Sequence, residues 1–246
     1  MQWNGFGLTV MSKVAIVAAL ERELSGLIRG WNRVERQYAG RRIVFFESAE
    51  MVVVCGGIGL EAARRAAEAV IALYRPTLLQ SVGFAGALNP GLHVGDILEP
   101  SIVVDARDGS SIEIDGGDRA TTLVSFMAVA GIEQKRNLAQ AYAAQAVDME
   151  AAAVAAAARA HGIRFCVTKV ISDELEFEMP ETARFIDAKG RFRTASFAAF
   201  VALRPWLWKR LAQLADNSRK AAELLGEQLR RSRHELGQAT VLIPGA

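Results

Sequence analysis

The sequence predicts an α/β protein, a three-layer αβα sandwich around a central mixed sheet, and three observations carry that expectation. Short β-branched runs alternate with longer alanine-rich or amphipathic runs, the pattern of a sheet covered by helices on both faces. Two strand-like runs, 42–48 and 51–55, are separated only by a tight turn, so at least one pair is antiparallel. The run 164–171 is almost continuously apolar, as a strand buried on both faces must be. With 246 residues, 51% of them hydrophobic, there is material for one large core, and 29 Lys+Arg against 27 Asp+Glu leave a net charge of +2. That composition excludes a disordered chain, a collagen and a small disulfide scaffold.

Taken in order, the first strand is expected over 14–19, followed by a helix over about 21–31 and the antiparallel pair. The second member of that pair runs into a glycine loop, Gly56, Gly57, Ile58 and Gly59. Residues 60–74 have an apolar or small face opposite Glu61, Arg64, Arg65 and Glu68, the period of a helix, and Pro76 marks its end. A strand over 77–82 leads to a glycine-containing turn, Gly83 to Gly86. Strands follow over 97–105 and 111–114, broken by the turn signal Asp108, Gly109, then a strand over 121–125 and a helix over 132–142. Asp148 can N-cap a nearly all-alanine helix over 149–161, thin enough to pack closely, which Gly162 stops. The strand over 164–171 then ends in Ser172 and Asp173.

The division expected from this pass is a catalytic domain over 11–203, a basic amphipathic helix over 204–234 packed on it, and poorly ordered ends at 1–10 and 235–246. The helix carries eight Lys/Arg against three acids, with Leu207, Leu211, Leu214, Leu225 and Leu229 near one face and Trp206 and Trp208 at its start. Such a helix can close the core of its own domain or lie on an anionic membrane surface. The longest stretch without Asp, Glu, Lys or Arg, 76–95, is interrupted by Gln80, Ser81, Asn89, Pro90, His93 and several glycines, so no transmembrane helix is expected. No signal peptide is read at the start, and the expected location is the cytoplasm, with the basic helix able to touch the inner face of the membrane.

Cys55 and Cys166 lie in apolar runs without ligand spacing, and His93, His161 and His234 are scattered, so buried free thiols and no metal are expected. The loop at 56–59 lacks the full G-x-G-x-x-G spacing and the charge is nearly balanced. Neither a nicotinamide cofactor nor a nucleic-acid partner is expected, and no cofactor of any kind.

Ligands of open α/β sheets bind outside the carboxyl ends of the strands. Four such places hold informative residues: Glu21 with Glu23, the segment from Gly83 to Gly86, Asp148 to Glu150, and Ser172 with Asp173. Each alone has a plain structural reading as a first-turn acid, a cap or a tight connection. Their joint order carries more. The segments Val14-Ala-Ile-Val-Ala-Ala-Leu-Glu-Arg-Glu23, Cys55-Gly-Gly-Ile-Gly59, Val82-Gly-Phe-Ala-Gly-Ala-Leu88 with Val94-Gly-Asp-Ile97, Val147-Asp-Met-Glu-Ala151 and Val170-Ile-Ser-Asp173 together resemble the nucleoside phosphorylase and nucleosidase superfamily. Within it they most resemble the 5'-methylthioadenosine/S-adenosylhomocysteine nucleosidases.

The resemblance implies cleavage of the glycosidic bond of a purine nucleoside through a ribosyl cation-like state. It assigns Asp173 to protonate the departing purine at N7, Ser172 to orient Asp173, Glu23 to activate the attacking water, and Glu150 with Met149 to hold the ribose. Phe84, Ala85, Gly86 and Lys169 fall on its substrate wall, and Phe126 is the candidate for stacking on the base. Dividing acid and base between two carboxyl groups is the logic of glycoside hydrolysis. The family also implies a homodimer.

Two departures bear on the reaction. Phosphorylases of the superfamily carry Ser or Thr where Phe84 stands, with Arg where Ser81 stands; phosphate needs charge-assisted donors, so water is the expected nucleophile. The nucleosidases carry Ser at the Phe84 position and Arg at the Lys169 position, which leaves the 5' substituent of the adenosine open. Met179-Pro180-Glu-Thr-Ala183, Asp187-Ala-Lys-Gly190 and the Arg204-Pro-Trp helix resemble the hopanoid-associated branch, whose members act on adenosylhopane. The expected partner is thus a small-molecule or lipid-linked nucleoside. The alternative of another class is a catalytically altered relative that only binds a nucleoside, against which stands the joint presence of Glu23, Glu150 and Asp173.

Overall fold

The computed structural model describes residues 14–114 and 117–178, and between 183 and 241 residues 183–185, 187, 190–194, 196–197, 200, 204 and 207–241. Residues 1–10, Met179, Pro180 and Trp206 lie outside the described residues. Eleven strands form one mixed sheet in the order β2-β3-β4-β1-β5-β10-β9-β7-β8, with β11 beside β5 and β6 beside β11.

The centre is β1 (Val14–Ala18), a VAIVA run held parallel between β4 (Met51–Cys55) and β5 (Leu78–Ala87). Four of its five residues are buried, so the uniform apolar pattern is the signature of a strand covered on both faces. At its carboxyl end the chain makes a 3-10 turn, Glu21–Glu23, and a single helical turn α1 (Ser25–Ile28), where a longer helix was expected. Gly30, at φ 81°, ends that turn and frees the chain to form β2 (Asn32–Tyr38). This strand was not foreseen, because its alternation is nearly all polar and it lies at the sheet edge. It pairs antiparallel with β3 (Arg41–Glu47) through Ala39 and Gly40, both at positive φ, the backbone that two-residue hairpins require.

After the glycine loop, α2 (Leu60–Tyr74) runs over the residues expected. Gly56 is required for this packing, since a Cβ there would lie 2.7 Å from the Ala66 methyl and 2.8 Å from the Ala62 carbonyl. β5 corrects the sequence reading. It does not stop at Val82 for a turn but continues through Gly83 and Gly86 to Ala87, paired with β11 (Arg164–Asp173) along nearly its whole length. β6 (Ile97–Leu98), β7 (Pro100–Asp105), β8 (Ser111–Glu113) and β9 (Asp118–Ser125) extend the sheet, and α3 (Ile132–Tyr142) has the predicted bounds.

β10 (Ala146–Asp148) carries Asp148 in a strand, and Glu150 holds the N-cap position of α4 (Ala151–Ala160). Asp148 still caps, because its Oδ2 accepts from the Ala151 amide at 2.9 Å. β11 extends two residues beyond the predicted Ile171 to include Ser172 and Asp173. The final helix, α5 (Trp208–Val241), runs past the His234 boundary read from sequence. Cys55 and Cys166 are free and partly covered.

Three apolar clusters fix the layers. Alanines and Val70 of α2 and α4 pack against Val17, Val54, Leu79 and Val167 on one face of the sheet. On the other face, Leu24 and Leu27 of the α1 region and Ala221, Leu225 and Leu229 of α5 cover Ile16, Val53, Val82 and Val170. A third cluster sets Leu138 of α3 against Val104, Val124 and Val147. Buried positions at 221, 225 and 229 recur every four residues, so the middle of α5 spends its apolar stripe on its own domain.

Candidate active site

Three strand ends meet at one side of the sheet. Just beyond β1, Glu21 is exposed while Glu23 turns inward and is 5% exposed. Glu23 can enter because β5 offers it a glycine: a Cβ on Gly83 would lie 2.8 Å from Glu23 Oε2, and Gly83 sits at φ 152°. Glu150 is drawn to the same region by the glycine loop, whose Gly59 amide donates to Glu150 Oε1 at 2.7 Å. The amide of Met149 donates to Oε2 at 3.2 Å.

Below these two acids lies a buried ion pair. Lys169 Nζ is 2.8 Å from Asp148 Oδ2, and Ser125 Oγ donates to Asp148 Oδ1 at 2.5 Å while accepting from the Ala152 amide at 2.9 Å. Burial would strip the Lys169 ammonium of its proton, but Asp148, Glu150 and Glu23 outweigh it and hold the group above its ordinary value. The values of the two acids rise as well, but with burial as the cause. Burial, then the charge of Glu150, raise Glu23 from 4.5 to about 7, against the pull of Lys169. Burial, then Asp148, raise Glu150 to about 7 as well. A carboxyl group poised there can take a proton from water near neutral pH.

At the end of β11, both oxygens of Asp173 are engaged. Ser172 Oγ donates to Oδ1 at 2.7 Å, and Lys135 Nζ donates to Oδ2 at 2.5 Å and to the Glu174 carbonyl at 2.6 Å. Gly86 makes this possible, since a Cβ there would lie 2.9 Å from Asp173 Oδ2 and 3.2 Å from Lys135 Cε. The two glycines taken from sequence as a turn are thus close-approach positions within a strand, one for each carboxylate.

Glu23, Glu150 and Asp173 open onto one cavity of about 860 Å³, of the size that holds small-molecule ligands. Phe84, Ala85, Gly86, Met149 and Ser172 line it as expected. Lys169 does not, because it lies behind the wall, beneath the acids it pairs with. Phe126 is also not on the wall: it packs on the third apolar cluster, and residues 128–130 line the cavity. Leu211, Leu214, Ala215 and Ala222 of α5 also line it, with Arg219, Glu223 and Arg230 of the same helix and with Phe192 and Phe197. Among the described residues, no group of three or more His, Cys, Asp or Glu could hold a metal ion, and no helix is long and apolar enough to cross a membrane.

A family model described as the Phosphorylase superfamily matches residues 13–124 and 119–203, which takes in every strand and all three carboxylates. The chain belongs to the phosphorylase superfamily. Its similarity to individual superfamily members is low. It is 22% identical over 207 residues to a 5'-methylthioadenosine/S-adenosylhomocysteine nucleosidase of Staphylococcus aureus, covering 67% of this chain and 90% of that one. It is 29% identical over 91 residues to the nucleosidase of the same description from Buchnera aphidicola, a match spanning only 36% of this chain and 39% of the relative. Among solved superfamily structures, that nucleosidase from Helicobacter pylori bound to butyl-thio-DADMe-Immucillin-A superposes with a TM-score of 0.63 at 21% identity, over 90% of this chain and 99% of that chain. The futalosine hydrolase of Helicobacter pylori gives the same TM-score and identity, over 90% and 98%.

One residue of the site escaped the sequence reading. Lys135 is 1% exposed on the buried side of α3, and its signal was its spacing: it falls three residues from both Ile132 and Leu138, a charge set into an apolar stripe.

Proposed function

We propose that the protein is a purine nucleosidase that cleaves the N-glycosidic bond of a 5'-substituted adenosine and releases adenine, with water as nucleophile. The observation that carries this reading is the cavity itself, which presents two kinds of carboxyl group. Glu23, poised near 7 beside Glu150, is suited to take a proton from water. Asp173, hydrogen-bonded by Ser172 and Lys135, is suited to act on the leaving purine. Glu150 and the Met149 segment take the ribose hydroxyls between them. The apolar Phe84 side chain on the wall favours water over phosphate, which would need charged donors.

The relatives' descriptions support the same class of chemistry. Chromatographic assay of adenine after incubation with methylthioadenosine, S-adenosylhomocysteine and adenosine, each with and without phosphate, tests it. Release without phosphate is expected; release only with phosphate would replace hydrolysis by phosphorolysis.

A second reading concerns the 5' group. Leu211, Leu214, Ala222, Phe192 and Phe197, which line the cavity together with polar residues of α5 such as Arg219 and Glu223, offer apolar surface for a long hydrophobic substituent, as on adenosylhopane. Trp208, 55% exposed, and the neighbouring Lys209 and Arg210 would then meet an anionic membrane surface. Sedimentation with anionic and neutral vesicles checks that contact, and light scattering checks the homodimer the reading includes.

A further inference from the structure

Lys135 is buried against Asp173, and the scheme above gives it no part in proton transfer. Its ammonium clasps the end of β11, reaching Asp173 Oδ2 at 2.5 Å and the Glu174 carbonyl at 2.6 Å. The other charges nearby face elsewhere: Arg136 pairs with Glu176 at 2.8 Å on the outer surface, and the Glu174 carboxylate lies 3.2 Å from His93. The Lys135 ammonium therefore faces one anion, Asp173, and the same ammonium forms part of the cavity wall. In this contact Lys135 Nζ is the donor and the Asp173 oxygen the acceptor, so the hydrogen between them starts on the lysine.

We propose, resting on the nucleosidase reading, that Lys135 is a positioning residue that supplies through Asp173 the proton taken by purine N7. As the C1'–N9 bond breaks, its electron pair passes to the purine. One proton moves from Lys135 Nζ to Asp173 and from Asp173 to N7, so the ammonium becomes an amine and adenine leaves neutral. Water adds at C1' and gives its proton to Glu23, which returns it to solvent, and solvent reloads Lys135. The sum is nucleoside plus water giving adenine and the free sugar. Ser172 fixes the other oxygen, so Asp173 presents one face to the base.

The test compares methylthioadenosine with 4-nitrophenyl 5-methylthioriboside, whose nitrophenolate departs without a proton. Lys135→Met is expected to lose about a hundred- to ten-thousandfold in kcat on methylthioadenosine, the range of general acid help, and far less on the nitrophenyl substrate. Equal losses on both would mean a structural role and overturn the inference. Lys135→Arg keeps the charge if the methionine variant fails to fold, but guanidinium does not release its proton at working pH. It is expected to be folded and slow on methylthioadenosine; wild-type speed would overturn the inference. Methylamine should restore adenine release to Lys135→Ala, and guanidinium should not; the reverse pattern counts against proton supply. A wild-type protein inert on both substrates would instead remove the nucleosidase reading itself.

Discussion

In the proposed reaction Glu23 would tie catalysis to stability through one carboxyl group. Its value of about 7 lies above the ordinary 4.5, so between those pH values the folded protein holds a proton that the unfolded chain has lost. Stability from this group is therefore greatest below about 4.5, falls as pH rises to about 7, and is level above. Activity runs the opposite way, because only ionised Glu23 accepts a proton from water: kcat should rise through about pH 7 to a plateau. Glu23→Gln should abolish most turnover yet unfold at higher temperature than wild type at pH 8. The stabilisation would be on the order of 2 kcal/mol and should shrink toward pH 5, as calorimetry at both pH values would reveal. Lys169→Met should do the reverse. It strands Asp148, Glu150 and Glu23 without a cation and should cost about 3–5 kcal/mol in urea unfolding. The carboxylates were legible in sequence because each follows a strand in a specific motif. Lys169 was read as a wall residue, but not its buried pairing with Asp148, and Lys135 was missed because it belongs to a segment with no motif, where only its place on the helical stripe marks it.

Elements place these groups by leaving room for them. β5 carries Gly83 opposite Glu23 and Gly86 opposite Asp173, so Gly86→Ala should push apart the Lys135–Asp173 pair and lower kcat while circular dichroism stays that of the folded protein. Restored activity in that variant, or none lost, would show that the pair tolerates a methyl group. The helices α2 and α3 were readable because their apolar residues recur at helical spacing between clear stops. β2 was not, since an edge strand whose side chains mostly face water has no apolar alternation to display. β5 was misread for a related reason. Glycine in sequence signals a turn, and only the tertiary neighbours at 2.8 and 2.9 Å show that it signals crowding here. The sequence likewise held the apolar face of α5 but not its division of labour. Leu225 is sealed in the core, and Leu225→Ala should cost about 2–5 kcal/mol in denaturant unfolding. Leu211 and Leu214, one to two turns from the helix start, instead face the cavity.

On the scale of the whole molecule, that division ties substrate choice to the last helix. Leu214→Arg should shift the ratio of kcat/KM values toward small 5' groups, measured with methylthioadenosine against a nucleoside bearing a long alkyl thioether. The buried cluster of Glu23, Asp148, Glu150 and Lys169 has a further consequence for what may enter. Three carboxyl groups share one ammonium, so once Glu23 and Glu150 ionise, that wall carries excess negative charge in a region of low dielectric. Such a field draws in positive charge developing on the sugar and turns away anions in solution. In the proposed reaction that wall would thus act as a charge filter: an uncharged nucleophile approaches it freely, while a dianion competing for the same carbon is repelled.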